Sequence, residues 1–305
     1  MEVILFLKHF CLFVIFSCIS GHYVPNLSKA ILDRGVTNML NLQGFMVGNA
    51  WTDAPIDNKG AAFYWWTHAL NTKETYDQIV AHCDFSVIGP LAESKANLCN
   101  QWLDVSTAEM GNINIYDIYT DVCLSPQGQT FLDALATSDS MFSPMAQALH
   151  NLHTVVDNRT LDACIDEHVE DYLNIPSVQA AIHANATKHW VQCGGVSYSR
   201  KDLLTSMLPV YQALFKTNLR MLVYSGDVDA IVPYTGTREW IASLNMTIEE
   251  PWRPWTGTSG QVGGYVTVFE RLTFATVRRA GHMVPWTQPQ RALDMFTRFL
   301  RGLPL

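Results

Sequence analysis

The sequence predicts an α/β fold built on a mostly parallel sheet with helices on both faces. Three short apolar runs are typical of buried strands: residues 42–47 (LQGFMV), 219–224 (LRMLVY) and 272–277 (LTFATV). Helical patterns separate these runs, and strands that alternate with helices favour parallel pairing. The helix predicted at 287–300 is the clearest, because its apolar residues share one face.

The first twenty residues differ from the rest of the chain. An apolar run at 10–16 is followed by Cys18 and Ser20, small residues at the −3 and −1 positions of a cut before the next glycine. This pattern indicates a signal-peptide-like or aberrant N-terminal segment. A membrane anchor is disfavoured because the first twenty residues are short for a membrane span and Lys8 interrupts them. A third interpretation is a buried strand at 12–15.

The remainder, residues 21–305, is predicted as one partial domain with an insertion at about 55–170. Residues 55–100 are mostly helical in pattern, whereas 105–160 are irregular and rich in Ser, Asn and Thr. Shorter helices are predicted at 26–34, 178–183 and 203–215.

Composition excludes several classes of protein. The chain has 305 residues, of which 48% are hydrophobic and 16% charged, so it can bury a sizeable core. Its net charge is −8 and no basic stripe is present, which disfavours nucleic-acid binding. None of the 7 cysteines forms a CxxC pair, so we expect no zinc and no other metal or organic cofactor.

Four N-glycosylation sequons favour the secretory pathway when they are combined with the signal-like start. They begin at Asn26, Asn158, Asn185 and Asn245. Disulfides are then permitted. Removal of the first twenty residues would leave five cysteines, so one of them would lack an intrachain partner.

Two loops carry the residues best suited to chemistry. Asp229 follows the strand predicted at 219–224, and His282 follows the strand predicted at 272–277. The carboxyl ends of parallel strands meet at one edge of a sheet, so we expect the two side chains to be neighbours. An Asp followed by a His is also the order that ends the Ser, Asp, His series of α/β-hydrolases. Loops also use Asp and His for turns and caps, which is the alternative.

Five motifs together resemble the serine carboxypeptidase family, a branch of the α/β-hydrolases. They are GHYVP (21–25), GFMVGNAWTD (44–53), YSGDVDAIVP (224–233), GGYVTV (263–268) and AGHMVP (280–285). The resemblance implies the C-terminal portion of an α/β-hydrolase fold and the hydrolysis of C-terminal residues from peptides. It makes Asp229 the triad acid and His282 the general base, and it assigns Asp227 a structural role in its loop.

The resemblance is incomplete where the nucleophile belongs. The family has G-E-S-Y-A-G directly before H-Y-V-P, and this alignment places Cys18 at the nucleophilic Ser and Phe16 at the first Gly. The nucleophile turn needs small flanking residues, which Phe16 is not. No G-G-P-G-C-like oxyanion loop occurs in the sequence. We therefore expect this chain to be inactive by itself.

The family pattern also implies further assignments. Cys83 pairs with Cys99 and Cys123 with Cys164, which leaves Cys193 unpaired. An apolar Met283 beside the substrate pocket suggests a preference for hydrophobic terminal residues. Peptides are the implied substrates, a homodimer is plausible, and the implied location is vacuolar, lysosomal or extracellular.

Two alternatives to a peptidase stay open at this point. An acyltransferase on the same scaffold would pass the acyl group to an alcohol instead of water. A secreted, non-catalytic truncated homologue would act as a binding module or fail to fold alone. The motifs alone do not separate these interpretations.

Overall fold

The structure is a computed structural model that describes residues 12–17, 20–35, 40–86, 94–123, 162–184, 189–191 and 199–305. Six strands form one sheet: β1 (Leu12–Ser17), β2 (Leu42–Gly48), β3 (Arg220–Gly226), β4 (Ile248–Thr256), β5 (Val262–Phe269) and β6 (Thr273–Val277). Their order across the sheet is β1-β2-β3-β6-β5-β4. The first four strands in this order are parallel, while β5 and β4 are antiparallel additions. The predicted mostly parallel sheet is confirmed.

The described helices connect and cover these strands. They are α1 (Ser20–Asp33), α2 (Ala54–Thr67), α3 (Lys73–His82), α4 (Ser94–Met110), α5 (Ile165–Leu173), α6 (Pro176–Ala181), α7 (Arg200–Leu203), α8 (Leu208–Leu214), α9 (Tyr234–Ser243), α10 (Val284–Thr287) and α11 (Pro289–Arg301). In the parts of the chain that the structure describes, no helix combines the length and apolar character needed to cross a membrane.

Helices cover both faces of the sheet, as the alternation of side chains along its strands requires. Phe45 and Val223 belong to an apolar cluster shared with α1, α8 and α9. Their strand neighbours Met46 and Leu222 belong to a second cluster, shared with α11. Consecutive residues of β2 and β3 therefore enter different cores, so both strands are apolar along most of their length.

The chain separates into two compact units. Unit 1 comprises Met1–His68, Ile115–Ile118 and Leu204–Leu305, and unit 2 comprises Ala69–Asn114 and Tyr119–Leu203. The insertion at about 55–170 stays a prediction. Helix α2 belongs to unit 1, where it packs against α9, so the boundary lies after this helix.

The two outer strands of the sheet have different compositions. Strand β4 contains Pro251 and Pro254 together with charged residues, whereas β1 (LFVIFS) has neither proline nor charge. In the described residues, β4 pairs only with β5 and β1 pairs only with β2. Proline and charge are common on strands that must not recruit another chain.

Some elements match the sequence-based expectations and others differ from them. Residues 12–17 form β1, which matches the third interpretation of this segment. Helix α1 begins at Ser20, before the predicted start at 26. The last helix is divided, since α10 ends at Thr287 and α11 begins at Pro289. It ends at Arg301, one residue beyond the predicted end, where Gly302 adopts the left-handed conformation with φ of 65°.

Candidate active site

The candidate site is built at the carboxyl ends of the parallel strands. Ser17, the last residue of β1, is opposite Gly48 at the end of β2, and Gly48 is opposite Tyr224 of β3. Gly226 at the end of β3 is opposite Val277 at the end of β6. The segments that follow these strands therefore start along one edge of the sheet, which is where α/β folds place their ligands.

Asp229 and His282, the two residues predicted from the sequence, lie side by side at this edge. The Asp229 Oδ2 atom is 2.8 Å from His282 Nδ1. Both residues are buried, with relative exposures of 0% and 4%. A buried carboxylate at this distance holds the imidazole in the tautomer that carries its proton on Nδ1.

The carboxylate of Asp229 is surrounded by hydrogen-bond donors. Its Oδ1 atom accepts from the backbone N–H groups of Ile231 at 2.9 Å and Val232 at 3.3 Å. Its Oδ2 atom accepts from Asn49 Nδ2 at 2.7 Å as well as from His282. Four donors therefore hold this carboxylate beside the imidazole, two of them on each oxygen.

The loop before His282 is fixed by neighbours that the sequence did not indicate. The backbone N–H of His282 donates to the carbonyl of Tyr116 at 2.6 Å, and the two rings meet edge to face. A Cβ atom on Gly281 would lie 2.4 Å from the same Tyr116 carbonyl oxygen, so only glycine fits there. Thr287 accepts a hydrogen bond from the Gly281 N–H at 3.0 Å. Thr287 therefore fixes this loop.

The predicted nucleophile position lies between β1 and α1, in a connection from strand to helix. Cys18 itself lies outside the described residues. The following motif is closely packed, since a Cβ atom on Gly21 would be 2.1 Å from the carbonyl oxygen of Trp51. His22 stacks on the Trp51 ring with centroids 5.3 Å apart, and burial lowers the pKa of this imidazole.

Asp227 and Met283 flank the pair. Asp227 Oδ1 accepts a hydrogen bond from the backbone N–H of Arg279 at 2.6 Å. Arg279 has a φ of 62°, so this bond holds a strained residue in place. Burial raises the pKa of Asp227 to about 6. The contact fits the structural role expected for Asp227. Met283, which follows His282, is 37% exposed.

Both disulfides implied by the resemblance are present. Cys83 bonds to Cys99 and Cys123 bonds to Cys164. Cys123, Cys164 and Glu167 bring three donor atoms within 4.8 Å of one another, the only such group in the described ranges. Both sulfurs are taken up by the disulfide, so this group does not offer thiolates to a metal. Cys193, predicted to be unpaired, lies outside the described residues.

Two of the four sequons can be placed. Asn26 lies in α1, and Ser28 of the same sequon is fully buried. Asn245 is exposed and lies between α9 and β4, with a left-handed φ of 51°. Asn158 and Asn185 lie outside the described residues. Both asparagines are exposed, but the Asn26 sequon lies within a helix and its Ser28 is buried, whereas Asn245 lies in a connection.

Comparison with known proteins identifies the family. The sequence profile described as serine carboxypeptidase matches residues 11–302. The chain belongs to the serine carboxypeptidase family. Serine carboxypeptidase-like 25 of Arabidopsis thaliana is 40% identical over 295 residues, which are 94% of this chain and 60% of that protein. Serine carboxypeptidase II-1 of Hordeum vulgare is 36% identical over 298 residues, which are 94% of this chain and 84% of that protein.

The fold agrees with this assignment. The crystal structure of Kex1(delta)p, a prohormone-processing carboxypeptidase from Saccharomyces cerevisiae, matches with a TM-score of 0.61 and 17% identity. The match covers 96% of this serine carboxypeptidase homologue and 62% of the yeast chain. The predicted α/β-hydrolase fold is therefore confirmed. The chain spans 60% of the length of the Arabidopsis relative.

Proposed function

We propose that Asp229 and His282 form the acid–base part of a carboxypeptidase site that releases C-terminal residues from peptides. The observation that carries the proposal is the 2.8 Å contact between Asp229 Oδ2 and His282 Nδ1, buried at the carboxyl edge of the parallel strands. In such a pair the imidazole takes the proton of an attacking hydroxyl or thiol and later gives it to the leaving amine. The carboxylate stabilises the imidazolium formed in between.

We also propose that the chain by itself is a poor catalyst. The sequence places Cys18 where the family has its nucleophilic Ser, and Phe16 where it has a Gly. A thiol can attack a carbonyl, but it must be held at a sharp turn that tolerates only small neighbours. Phe16 is the next-to-last residue of β1 and is paired with Val47. A large side chain at this point opposes the required turn.

Restoring the nucleophile tests both parts of the proposal. The double variant Phe16→Gly, Cys18→Ser should hydrolyse an activated p-nitrophenyl ester faster than the unchanged chain. A general base contributes about 10²–10⁴-fold, so adding His282→Ala to the double variant should reduce its rate by roughly that factor. The measurement is the initial release of p-nitrophenol. The matched controls are the unchanged chain and the chain with His282→Ala alone.

Three results would contradict the proposal. Rapid hydrolysis by the unchanged chain, lost in His282→Ala, would show that the nucleophile position is competent. A double variant whose rate does not respond to His282→Ala would show that the imidazole is not the base. Faster acyl transfer to an added small alcohol than to water would favour the acyltransferase alternative.

Substrate preference and location are part of the same proposal. The exposed Met283 supports contact with an apolar residue at the peptide terminus. In any variant with peptidase activity, peptides ending in Phe or Leu should be cleaved faster than those ending in Arg or Lys. The two disulfides and the exposed Asn245 support a secretory route to a vacuolar, lysosomal or extracellular location.

A further inference from the structure

Asn49 is a fully buried polar residue just after β2. Its φ of 46° lies in the left-handed region, which Asn tolerates better than most side chains. Its backbone N–H donates to the carbonyl of Tyr224 at 2.8 Å. This bond fixes the backbone of Asn49 against β3, and therefore also the position from which its side chain extends.

The amide of Asn49 connects two parts of the candidate site. Its Oδ1 atom accepts from the backbone N–H of Gly226, the last residue of β3, at 3.2 Å. Its Nδ2 atom donates to Asp229 Oδ2 at 2.7 Å. The same Oδ2 atom accepts from His282 Nδ1. Asn49 therefore bonds to the carboxylate oxygen that receives the imidazole, while the backbone N–H groups of Ile231 and Val232 hold the other oxygen.

We propose that Asn49 is a positioning residue for the Asp229–His282 pair. The two backbone donors fix Oδ1 but leave the carboxylate free to tilt about that oxygen. The Asn49 amide, anchored by Gly226, removes this freedom and holds Oδ2 beside His282 Nδ1. The Nδ1–H bond is then kept short, and Nε2 remains the nitrogen that can accept a proton.

The choice of side chain fits this role. An amide adds a donor without adding a charge, so the imidazolium is opposed by a single carboxylate. An Asp in its place would keep an acceptor for Gly226 but would bring two carboxylates to about the present 2.7 Å separation, where both cannot stay ionised. A Gly would keep the left-handed backbone and remove both side-chain bonds.

Histidine NMR of the intact chain tests the proposal without any need for turnover. In protein labelled with ¹⁵N-histidine, the His282 Nδ1–H signal should be downfield and protected from solvent exchange, and Asp229→Asn should change it. Asn49→Gly should speed exchange of this proton by roughly tenfold or more, the effect expected for loss of a hydrogen bond to a charged group. Asn49→Asp should shift the signal.

The chain provides a matched control in Asn245, which is also left-handed but exposed. Asn245→Asp and Asn245→Gly should leave the His282 signal unchanged. If the Asn49 variants do not fold, the proposal can still be tested on the unchanged chain. On titration of His282 in the unchanged chain, the Asn49 side-chain amide signal should shift with the same apparent pKa.

Either of two outcomes would overturn the inference. The first is an unchanged exchange rate of the His282 Nδ1 proton in folded Asn49 variants. The second is an Asn49 side-chain amide signal that does not shift during the titration of His282. The inference rests on the proposed role of His282, but the two can fail separately. A chain with no response in the ester assay and a clear Asn49 effect on His282 would contradict only the proposed function.

Discussion

Asp57 is a carboxyl group placed where water does not reach it. It is 3% exposed and lies in the first turn of α2. Its Oδ2 atom accepts from the backbone N–H groups of Thr52 and Asp53 at 2.7 and 2.8 Å. Its Oδ1 atom has no partner among the described residues. Burial raises the pKa of Asp57 from 3.8 to about 7, against the opposing effect of the two backbone bonds.

The pKa of Asp57 predicts a pH dependence of stability. Because the folded chain holds this proton more tightly than the unfolded chain, the contribution of Asp57 to stability is fully present below pH 4 and is lost as the pH rises towards 7. The difference between 3.8 and about 7 corresponds to roughly 4 kcal/mol at most. Asn cannot ionise, so Asp57→Asn should make the urea unfolding free energy fall less between pH 4 and pH 7.

The exposed Asp202 supplies the control for this prediction. Asp202→Asn should keep the full pH dependence of the unchanged chain. An unfolding free energy of Asp57→Asn that falls as steeply as that of the unchanged chain would show that Asp57 is not the group responsible.

Some residues of the candidate site can be predicted from the sequence, and others are identified only by the structure. Asp229 and His282 could be found because each follows an apolar strand, and parallel strands bring their carboxyl ends together. Asn49 follows a strand too, but Asn after a strand is equally typical of an ordinary turn. Tyr116 lies far from His282 in the chain, and only the tertiary contact between its carbonyl and the His282 backbone reveals its role.

At the scale of elements, apolar runs predicted β2, β3 and β6, but the sequence did not predict β4, β5 or the helix α9. Strands β2, β3 and β6 are buried on both faces, so each appears as a short apolar run. Strand β4 contains two prolines and four charged or polar positions, a composition typical of a loop. It becomes a strand because β5 pairs with it, a long-range contact without a local signal.

Helix α1 packs closely against the segment after β2, so adding one methyl group at Gly21 should lower the stability of the fold. Gly21→Ala would place a Cβ atom 2.1 Å from the Trp51 carbonyl oxygen, so the helix or the segment must move. We expect a loss of about 1–3 kcal/mol in the free energy of unfolding, measured by urea denaturation. The exposed Leu27 on the same helix gives the control, since Leu27→Ala should change stability by less than about 0.5 kcal/mol. Equal stability of Gly21→Ala and the unchanged chain would contradict this packing.

At the scale of the whole molecule, the exposed Asn245 predicts a glycoprotein. Expressed in eukaryotic cells with its own N-terminal segment, the chain should gain mobility in gels after treatment with peptide N-glycosidase. Asn245→Gln should remove at least one glycan. A chain of unchanged mobility after enzyme treatment, recovered without disulfides, would argue against passage through the secretory pathway. The buried Ser28 predicts that Asn26→Gln has the smaller effect.

The unequal edges of the sheet limit how copies of the chain could join. Proline has no backbone N–H, so Pro251 and Pro254 cannot donate to a neighbouring strand, and the charges beside them resist a dry contact. Open-ended growth of a sheet requires every added copy to present a second receptive edge. Among the described strands, β4 is therefore a poor edge for such growth, because a strand added there would lack two backbone donors.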